Sequence, residues 1–290
     1  MRILILGATG MLGYSLLSNL GEFDGFEVFG TVRNIKGKEH FFKNTLSSLI
    51  FDVDVTDTVQ IERAIKVIKP AVVINCIGLI KQHDVSKQRV NAIEINSLLP
   101  HQVAALCDKY SARLIHFSTD CVFSGANGNY KESSLPDAID LYGKTKCLGE
   151  VDYGSHLTLR TSIIGHELGS SMSLIDWFLS QSGEVRGFSK AIFSGLPTCY
   201  IAKLLAESIL KSPEITGLYH LSVAPIDKYT LLKLVAKTYS NAVIVNEDKN
   251  FEIDRSLNSG KLINKLGLDL PAWPALIDYM YSDYVSRYKA

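Results

Sequence analysis

The 290-residue sequence has no excess of charge of either sign, with 30 lysines and arginines set against 30 aspartates and glutamates. A nucleic-acid binder carries a basic surplus or stripe, so that class is not expected. Paired cysteine motifs are also missing. Cys76, Cys107, Cys121, Cys147 and Cys199 are scattered and odd in number, which suggests neither a zinc site nor a disulfide framework and reads as reduced thiols of a cytoplasmic protein. No apolar run is long enough to cross a membrane. Met1-Arg2 leads straight into a short apolar run closed by glycine, with none of the layout of a secretory leader. Repeats, low-complexity tracts and long polar linkers are absent too. What remains is an ordinary globular composition at a length that suits one large or two coupled domains.

Apolar strand-like runs alternate with helical patterns from the start. Residues 2–6, 26–31, 48–53, 71–76, 113–118 and 157–161 read as strands, and 11–20, 59–68, 93–110 and 141–150 as helices. This rhythm predicts an α/β fold, a doubly wound parallel sheet of the Rossmann kind with helices on both faces. It loosens after about residue 160, where short elements mix with Gly, Pro and Ser. The expectation is a dinucleotide-binding domain over 1–160 and a smaller α/β substrate-binding lobe over 161–290. The helix over about 200–211 returns to the first domain, and a ligand cleft lies between the two.

The turn after the first strand reads Gly7-Ala8-Thr9-Gly10-Met11-Leu12-Gly13. Glycines at these points allow a tight turn, close approach of backbone amides to a pyrophosphate and close helix–strand packing. The helix N-terminus offers N–H groups and a positive dipole end to the anion. Gly7, Thr9, Gly10, Met11, Leu12 and Gly13 are therefore candidate cofactor contacts; the bland alternative is a plain strand–helix turn. At the end of the second strand an acidic residue would bind the ribose 2′-hydroxyl of NAD. The chain instead reads Thr31-Val32-Arg33-Asn34, and Arg33 suits a 2′-phosphate. NADP(H) is thus expected over NAD(H), against the alternative of a solvated loop arginine. Asp54 and Val55, just past the third strand, are placed to meet an adenine, unless Asp54 only starts the next turn.

Tyr142-Gly143-Lys144-Thr145-Lys146 contains Y-x-x-x-K, which on a helix puts both side chains on one face. An ammonium there can favour the phenolate, and a tyrosine so tuned can pass a proton to a carbonyl oxygen as hydride arrives from a nicotinamide. The spacing is common by chance; its place one loop and one helix after the fifth strand gives it weight. That strand ends in Ser118-Thr119-Asp120, at the carboxyl edge where open parallel sheets bind ligands. Either hydroxyl could orient a carbonyl, and alternation does not decide between them. A simple Ser/Thr turn is the structural alternative.

Taken together, the glycine trio, Ser118-Thr119-Asp120-Cys121-Val122-Phe123 with Gly125, and Tyr142 to Lys146 with Gly149-Glu150 resemble the extended short-chain dehydrogenases/reductases, most closely the dTDP-4-dehydrorhamnose reductase group. The resemblance continues through Leu159-Arg160-Thr161, Leu196-Pro197-Thr198, Gly217 to His220, Arg255-Ser256-Leu257 and Pro271-Ala272-Trp273. It implies NADPH-dependent reduction of the 4-keto group of a nucleotide-linked deoxysugar, for polysaccharide precursors, with Thr119, Tyr142 and Lys146 catalytic. It further implies that Asn96 helps place the lysine and that Asn75, Cys76, Ile77 and Gly78 line the nicotinamide side. Cys121 stands where the group usually has an aromatic, and Leu79 to His83 departs from the rhamnose-pathway pattern. Both departures point to a different sugar. The stretches 162–167 and 175–178 resemble a branch acting on UDP-linked 2-acetamido-2,6-dideoxy-4-keto-hexoses, which is favoured here.

Lys81, Gln82, Cys121, His166, Trp177 and Arg255 are candidate substrate contacts, each with a bland alternative as a surface lysine, core tryptophan or interface arginine. His116 and His220 sit in apolar runs and read as satisfied core histidines. Rhamnose-pathway members can dimerise through a magnesium-bridged acidic cluster. Those positions are not matched here, so no metal is expected, while a homodimer stays open. Three rivals remain. One is an epimerase; another is a dehydratase, disfavoured because Asp120 is followed by Cys121 rather than Glu; the third is a non-catalytic NADP-binding regulatory subunit. The Arg33 reading predicts that turnover with NADPH exceeds turnover with NADH at equal concentration; the opposite order in a spectrophotometric assay overturns it.

Overall fold

In the computed structural model, which describes residues 1–79 and 88–289, seven parallel strands form the central sheet. In chain order its strands are β1 (Arg2–Leu6), β2 (Glu27–Thr31), β3 (Leu49–Ile50), β4 (Val72–Asn75), β5 (Arg113–Thr119) and β6 (Leu157–Thr161). After β7 (Ile163–Ile164), β8 (Glu184–Phe193) and β9 (Leu196–Pro197), the sheet takes its last strand, β10 (Gly217–His220). The spatial order is β10-β6-β5-β4-β1-β2-β3. The order reverses between β1 and β4, and the crevice at their carboxyl ends is where such sheets bind ligands.

The strands read as continuous apolar runs because both faces of the sheet are covered. On β1, Ile3 and Ile5 point into one core with α1 (Met11–Leu20), while Leu4 and Leu6 point into the other with α2 (Thr58–Ile68). Asp57 caps α2 by accepting from the Val59 N–H. A continuous helical segment, α3 (Arg89–Ile93), a π-helical turn over Glu94–Leu98 and α4 (Leu99–Lys109), backs the second core. After residue 160 the chain returns twice to this body: α7 (Thr198–Glu207) packs on α1, and β10 extends the sheet beside β6.

Two readings from sequence change. The expected strand over 48–53 shrinks to Leu49–Ile50, because Asp52 adopts a left-handed φ of 57° that ends the extended run. The expected short elements of the second lobe include two long strands, β8 and β12 (Ile244–Asp254), paired in parallel. Their polar residues on both sides hide the period-two signal. With β11 (Ile226–Asp227), which runs antiparallel to β8, they form a three-stranded sheet. Around it lie α6 (Leu174–Leu179), α8 (Lys228–Thr238), α9 (Gly260–Leu266) and α10 (Trp273–Arg287). The loop after β5 (123–130) joins the lobes. Asp254 N–H donates to Gly125 O, Tyr130 N–H to Ser256 O, and Asn258 N–H to Tyr130 O. No helix of the described residues is long and apolar enough to cross a membrane.

The turn between β1 and α1 is packed without room for a side chain at Gly13. Gly7 has φ +86°, and a Cβ on Gly13 would sit 2.1 Å from the Gly7 carbonyl oxygen. Backbone on both sides leaves nothing flexible to give way. Gly13→Ala is therefore expected to cost about 1–3 kcal/mol and lower the unfolding midpoint in a denaturant titration. An unchanged midpoint would contradict this packing.

Candidate active site

The glycine turn presents the N-terminus of α1 to the crevice. Gly10 caps the helix without a side-chain acceptor, and no acidic residue sits in its first turn. That leaves the dipole end uncompensated by protein charge. Thr9, Gly10 and Met11 are at least partly exposed there, whereas the Leu12 side chain is buried in the core, so only its backbone is available. Arg33 is exposed beyond β2 with no carboxylate on that strand end. It faces Asp54 closely enough to act on its charge. Asp54 Oδ1 accepts from the Thr56 N–H at 3.0 Å and the Thr56 hydroxyl at 2.8 Å, bonds that hold its carboxyl below the usual range, with Arg33 adding to the effect. Asp54 thus builds the turn ahead of α2, the bland role considered for it, and Val55 lies against the core on that side.

At the carboxyl end of β5 the chain turns through Asp120–Val122 and later enters α5 (Leu141–Leu148). The Asp140 side chain caps α5 by accepting from the Gly143 N–H at 2.9 Å. Two glycines let α5 lie directly on neighbouring backbone. A Cβ on Gly143 would be 2.2 Å from the Cys121 carbonyl oxygen, and one on Gly149 would be 1.9 Å from that of Asn96. This contact brings Tyr142 close to Thr119, whose hydroxyl acts to lower the phenol's pKa. Thr119 Oγ1 also accepts from the Cys121 N–H at 3.1 Å and lies 3.2 Å from Asp120 Oδ1. Ser118 goes elsewhere, its hydroxyl donating to Glu150 Oε1 at 2.7 Å. Alternation on β5 therefore places Thr119, not Ser118, with the tyrosine.

Lys146 is 4% exposed. Its Nζ donates to the Phe117 carbonyl at 2.6 Å and lies 3.4 Å from His116 Nε2. Burial brings its pKa down to about 8, opposed by Glu150 and Cys76. Burial pushes the Tyr142 phenol up, and the strongest charges on it are Cys121, Asp120 and Asp140. Cys76, Ile77 and Gly78 follow β4 beside Lys146: a Cβ on Gly78 would be 3.9 Å from its Nζ. Asn96, in the π-helical turn, reaches Lys146 only indirectly. Its amide clamps Leu79, accepting from N–H at 2.8 Å and donating to the carbonyl at 3.1 Å, and donates to Thr145 Oγ1 at 3.3 Å.

The second lobe adds cations. Arg255 Nε donates to the Phe123 carbonyl at 3.0 Å, and its NH1 lies 3.7 Å from Cys121 Sγ. Lys228, at the start of α8, acts on both Asp120 and Cys121, and burial lowers its pKa. Burial raises the Asp120 carboxyl, which Arg255 and Lys228 counter. Arg255 and Cys121 thus stand together near Tyr142. Lys228 had no local sequence signal, since it follows the helix-capping Asp227 like any first-turn residue. The structure does not bring His166 to this group. Its Nδ1 is 2.6 Å from Asp176, its Nε2 is 2.8 Å from the Tyr239 hydroxyl, and its ring lies 4.4 Å from that of Tyr284. Trp177 sits beside Asp176 on α6 and is 38% exposed. Lys81 and Gln82 lie outside the described residues. Among the described residues no group of three or more His, Cys, Asp or Glu could hold a metal ion.

A family model described as RmlD substrate binding domain matches residues 1–244. The chain belongs to this family. The resemblance seen in the motifs therefore holds at the family level. A probable low-salt glycan biosynthesis reductase of Haloferax volcanii is 31% identical over 151 residues, which are 52% of this chain and 48% of that protein. Methionine adenosyltransferase 2 subunit beta of Rattus norvegicus is 25% identical over an alignment covering 96% of this chain and 89% of that one. Among solved structures, dTDP-4-dehydrorhamnose reductase from Bacillus anthracis in complex with NADP superposes with a TM-score of 0.78 at 21% identity, covering 97% of this chain and 99% of that one. That likeness establishes the RmlD chain's Rossmann-type architecture.

His220, on β10 beside the site's supporting residues, donates Nδ1–H to the Tyr130 carbonyl at 3.0 Å and faces Arg160 with Nε2. Burial and the Arg160 charge bring its pKa down to about 4, although Glu132 opposes them. The unfolded chain takes up this proton near pH 6.5 and the folded chain only near 4. Stability from this group is thus complete above pH 6.5 and falls as pH drops toward 4. Asp120 and Asp283, both raised by burial, act in the opposite sense. The comparison with His220→Gln isolates the histidine. Between pH 6 and 5, wild type should lose about 1 kcal/mol more than the variant, read by denaturant titration. Parallel curves would refute it.

Proposed function

We propose that this RmlD-family chain is a nicotinamide-dependent reductase of the keto group of a nucleotide-linked sugar. The observation that carries the reading is the grouping of Thr119, Tyr142 and Lys146 at the carboxyl edge of the sheet, beside the glycine turn. The cofactor's requirements fit the residues present: a tight turn with no room for a side chain at Gly13, a helix N-terminus with no competing carboxylate, and no acidic residue at the end of β2. Gly7, Gly10 and Gly13, with the Cys76 to Gly78 segment, would hold it, and Arg33 would favour a 2′-phosphate. Bound there, a dihydronicotinamide supplies the hydride. Tyr142 gives its proton to the keto oxygen, which becomes the alcohol, and solvent restores the phenol. Thr119 orients the carbonyl by hydrogen bonding. A phenol kept protonated by burial suits a proton donor better than a preformed phenolate.

For the substrate we favour a UDP-linked 2-acetamido-2,6-dideoxy-4-keto-hexose over a dTDP-linked deoxysugar. Cys121 leaves more room than an aromatic side chain, and the cations Arg255 and Lys228 suit the diphosphate-linked ligand that would lie across them. The five cysteines are scattered along the sequence with no paired motif, which supports placement in a reducing compartment such as the cytoplasm. A second reading, a regulatory subunit that keeps the fold and binds NADP, is favoured by the near full-length similarity to methionine adenosyltransferase 2 subunit beta. The approach of Thr119 to Tyr142 speaks for catalysis instead.

NADPH oxidation against UDP-linked N-acetyl and dTDP-linked keto-sugars separates these readings. Turnover of the UDP substrate should be faster. Turnover of neither supports the regulatory subunit, and faster turnover of the dTDP substrate sinks the sugar preference. Tyr142→Phe should lower kcat by at least about 100-fold while NADPH still binds with near wild-type affinity. A variant that turns over at close to the wild-type rate would remove Tyr142 from the chemistry.

A further inference from the structure

Behind Lys146 lies a chain of three buried polar side chains whose hydrogens are not free to be arranged at will. Asn75 and His116 are fully buried, and Lys146 nearly so. Asn75 Oδ1 accepts from the Ile77 N–H at 3.0 Å, which sets which end of the amide is oxygen. Its Nδ2 must then face His116, 3.2 Å from Nδ1. An amide nitrogen only donates, so His116 Nδ1 is the acceptor, and the ring carries its hydrogen on Nε2. That nitrogen is the one 3.4 Å from Lys146 Nζ. An ammonium has no lone pair to accept the Nε2–H, whereas a neutral amine has one, and it still keeps a hydrogen for the Phe117 carbonyl. Every bond in the chain is satisfied only when Lys146 is neutral.

We propose that His116 is a positioning residue for Lys146: held in its Nε2–H form by Asn75, it presents a hydrogen to the lysine nitrogen and favours the neutral amine. The inference rests on the reductase reading for its consequence, since it sets the pH at which the lysine beside Tyr142 gains and loses its proton. The tautomer itself does not depend on turnover. The charged and titratable groups around the pair are few. Glu150, past the end of α5, and Cys76, past β4, act on Lys146 in favour of the ammonium. Glu150 is already paired with Arg160 at 2.7 Å. Tyr142 lies one turn earlier on α5. His116 is faced by Lys146 and, from α4, by His101, and burial above all keeps the ring neutral.

The test is NMR on protein labelled in its histidines and lysines. In wild type, His116 should show the neutral Nε2–H pattern from about pH 6 to 9, and Lys146 should titrate well below the ordinary lysine range near 10.4. Asn75→Asp supplies an acceptor in place of the amide nitrogen. His116 should then carry its hydrogen on Nδ1 and turn a lone pair to Lys146, whose midpoint should rise by about one pH unit or more. The Lys146 inflection in the pH–rate profile should move with it. An Nδ1–H or doubly protonated His116 in wild type at pH 7 overturns the proposal. So does a flipped tautomer that leaves the Lys146 midpoint unchanged, or a raised midpoint without the flip, which would be the added charge alone. If Asn75→Asp does not fold, the wild-type tautomer decides by itself. Failure of the reductase reading would appear separately, as no keto-sugar turnover by a protein whose NMR behaviour matches these expectations.

Discussion

The Glu150 carboxylate, paired with Arg160 inside the protein, is the contact through which the two lobes and the candidate site hold one another in place. Both oxygens are used: Arg160 Nε meets Oε1 and NH2 meets Oε2, each at 2.7 Å, and Ser118 donates to Oε1 as well. One pair therefore joins the segment after α5 to β6 and to the end of β5. The same guanidinium lies 5.2 Å over the Phe123 ring and faces His220 on β10. Phe123 stacks on Tyr130, whose backbone pairs with Ser256 and Asn258 of the second lobe. A buried pair of this kind contributes little net stability over an apolar substitute, but removing one partner strands a charge at a cost of about 3–5 kcal/mol. Its effect is to specify geometry. Ser118 is drawn to one face of β5, which leaves Thr119 on the other, toward Tyr142.

That geometry also depends on close backbone contact. The Y-x-x-x-K face would not reach Thr119 if α5 stood at an ordinary helix distance. Gly143 and Gly149 remove the side chains that would keep it away, and the helix rests on the carbonyls of Cys121 and Asn96. Asn96 is presented by a π-helical turn within a longer helix, a local widening that recurs at functional sites. Its amide is spent on Leu79 and Thr145, which ties the segment after β4 to α5. Lys146 is held by elements from three parts of the chain rather than by its own helix alone.

The electrostatics follow from burial more than from pairing. Burial favours the protonated Tyr142 phenol and brings the Lys146 pKa down to about 8. Asp120 is the one buried carboxylate next to Thr119, and the second lobe answers it with Arg255 and Lys228. The cleft thus combines a phenol kept protonated by desolvation with two cations, Arg255 and Lys228, supplied by the second lobe.

Much of the fold is legible in the sequence because the physics that produces it is local. Short apolar runs closed by glycine, alternating with helical periods, specify a parallel sheet covered on both faces. Glycines at 7, 10 and 13 mark the dinucleotide turn, and at 7 and 13 the backbone conformation or packing requires them. Tyr142, Lys146 and Thr119 were visible through spacing and the resemblance around them. Other features depended on contacts between distant segments, which no local pattern records. The long strands β8 and β12 escaped because their polar side chains lie on both faces. His166 belonged to a structural network with Asp176 and Tyr239 rather than to the cleft. Lys228 became a neighbour of Asp120 only when α8 docked. Residue types by themselves determined which proton donors and hydride-cofactor contacts were available. Only the packed structure decided their protonation, because burial and the orientation of a single asparagine amide act through space and not along the chain.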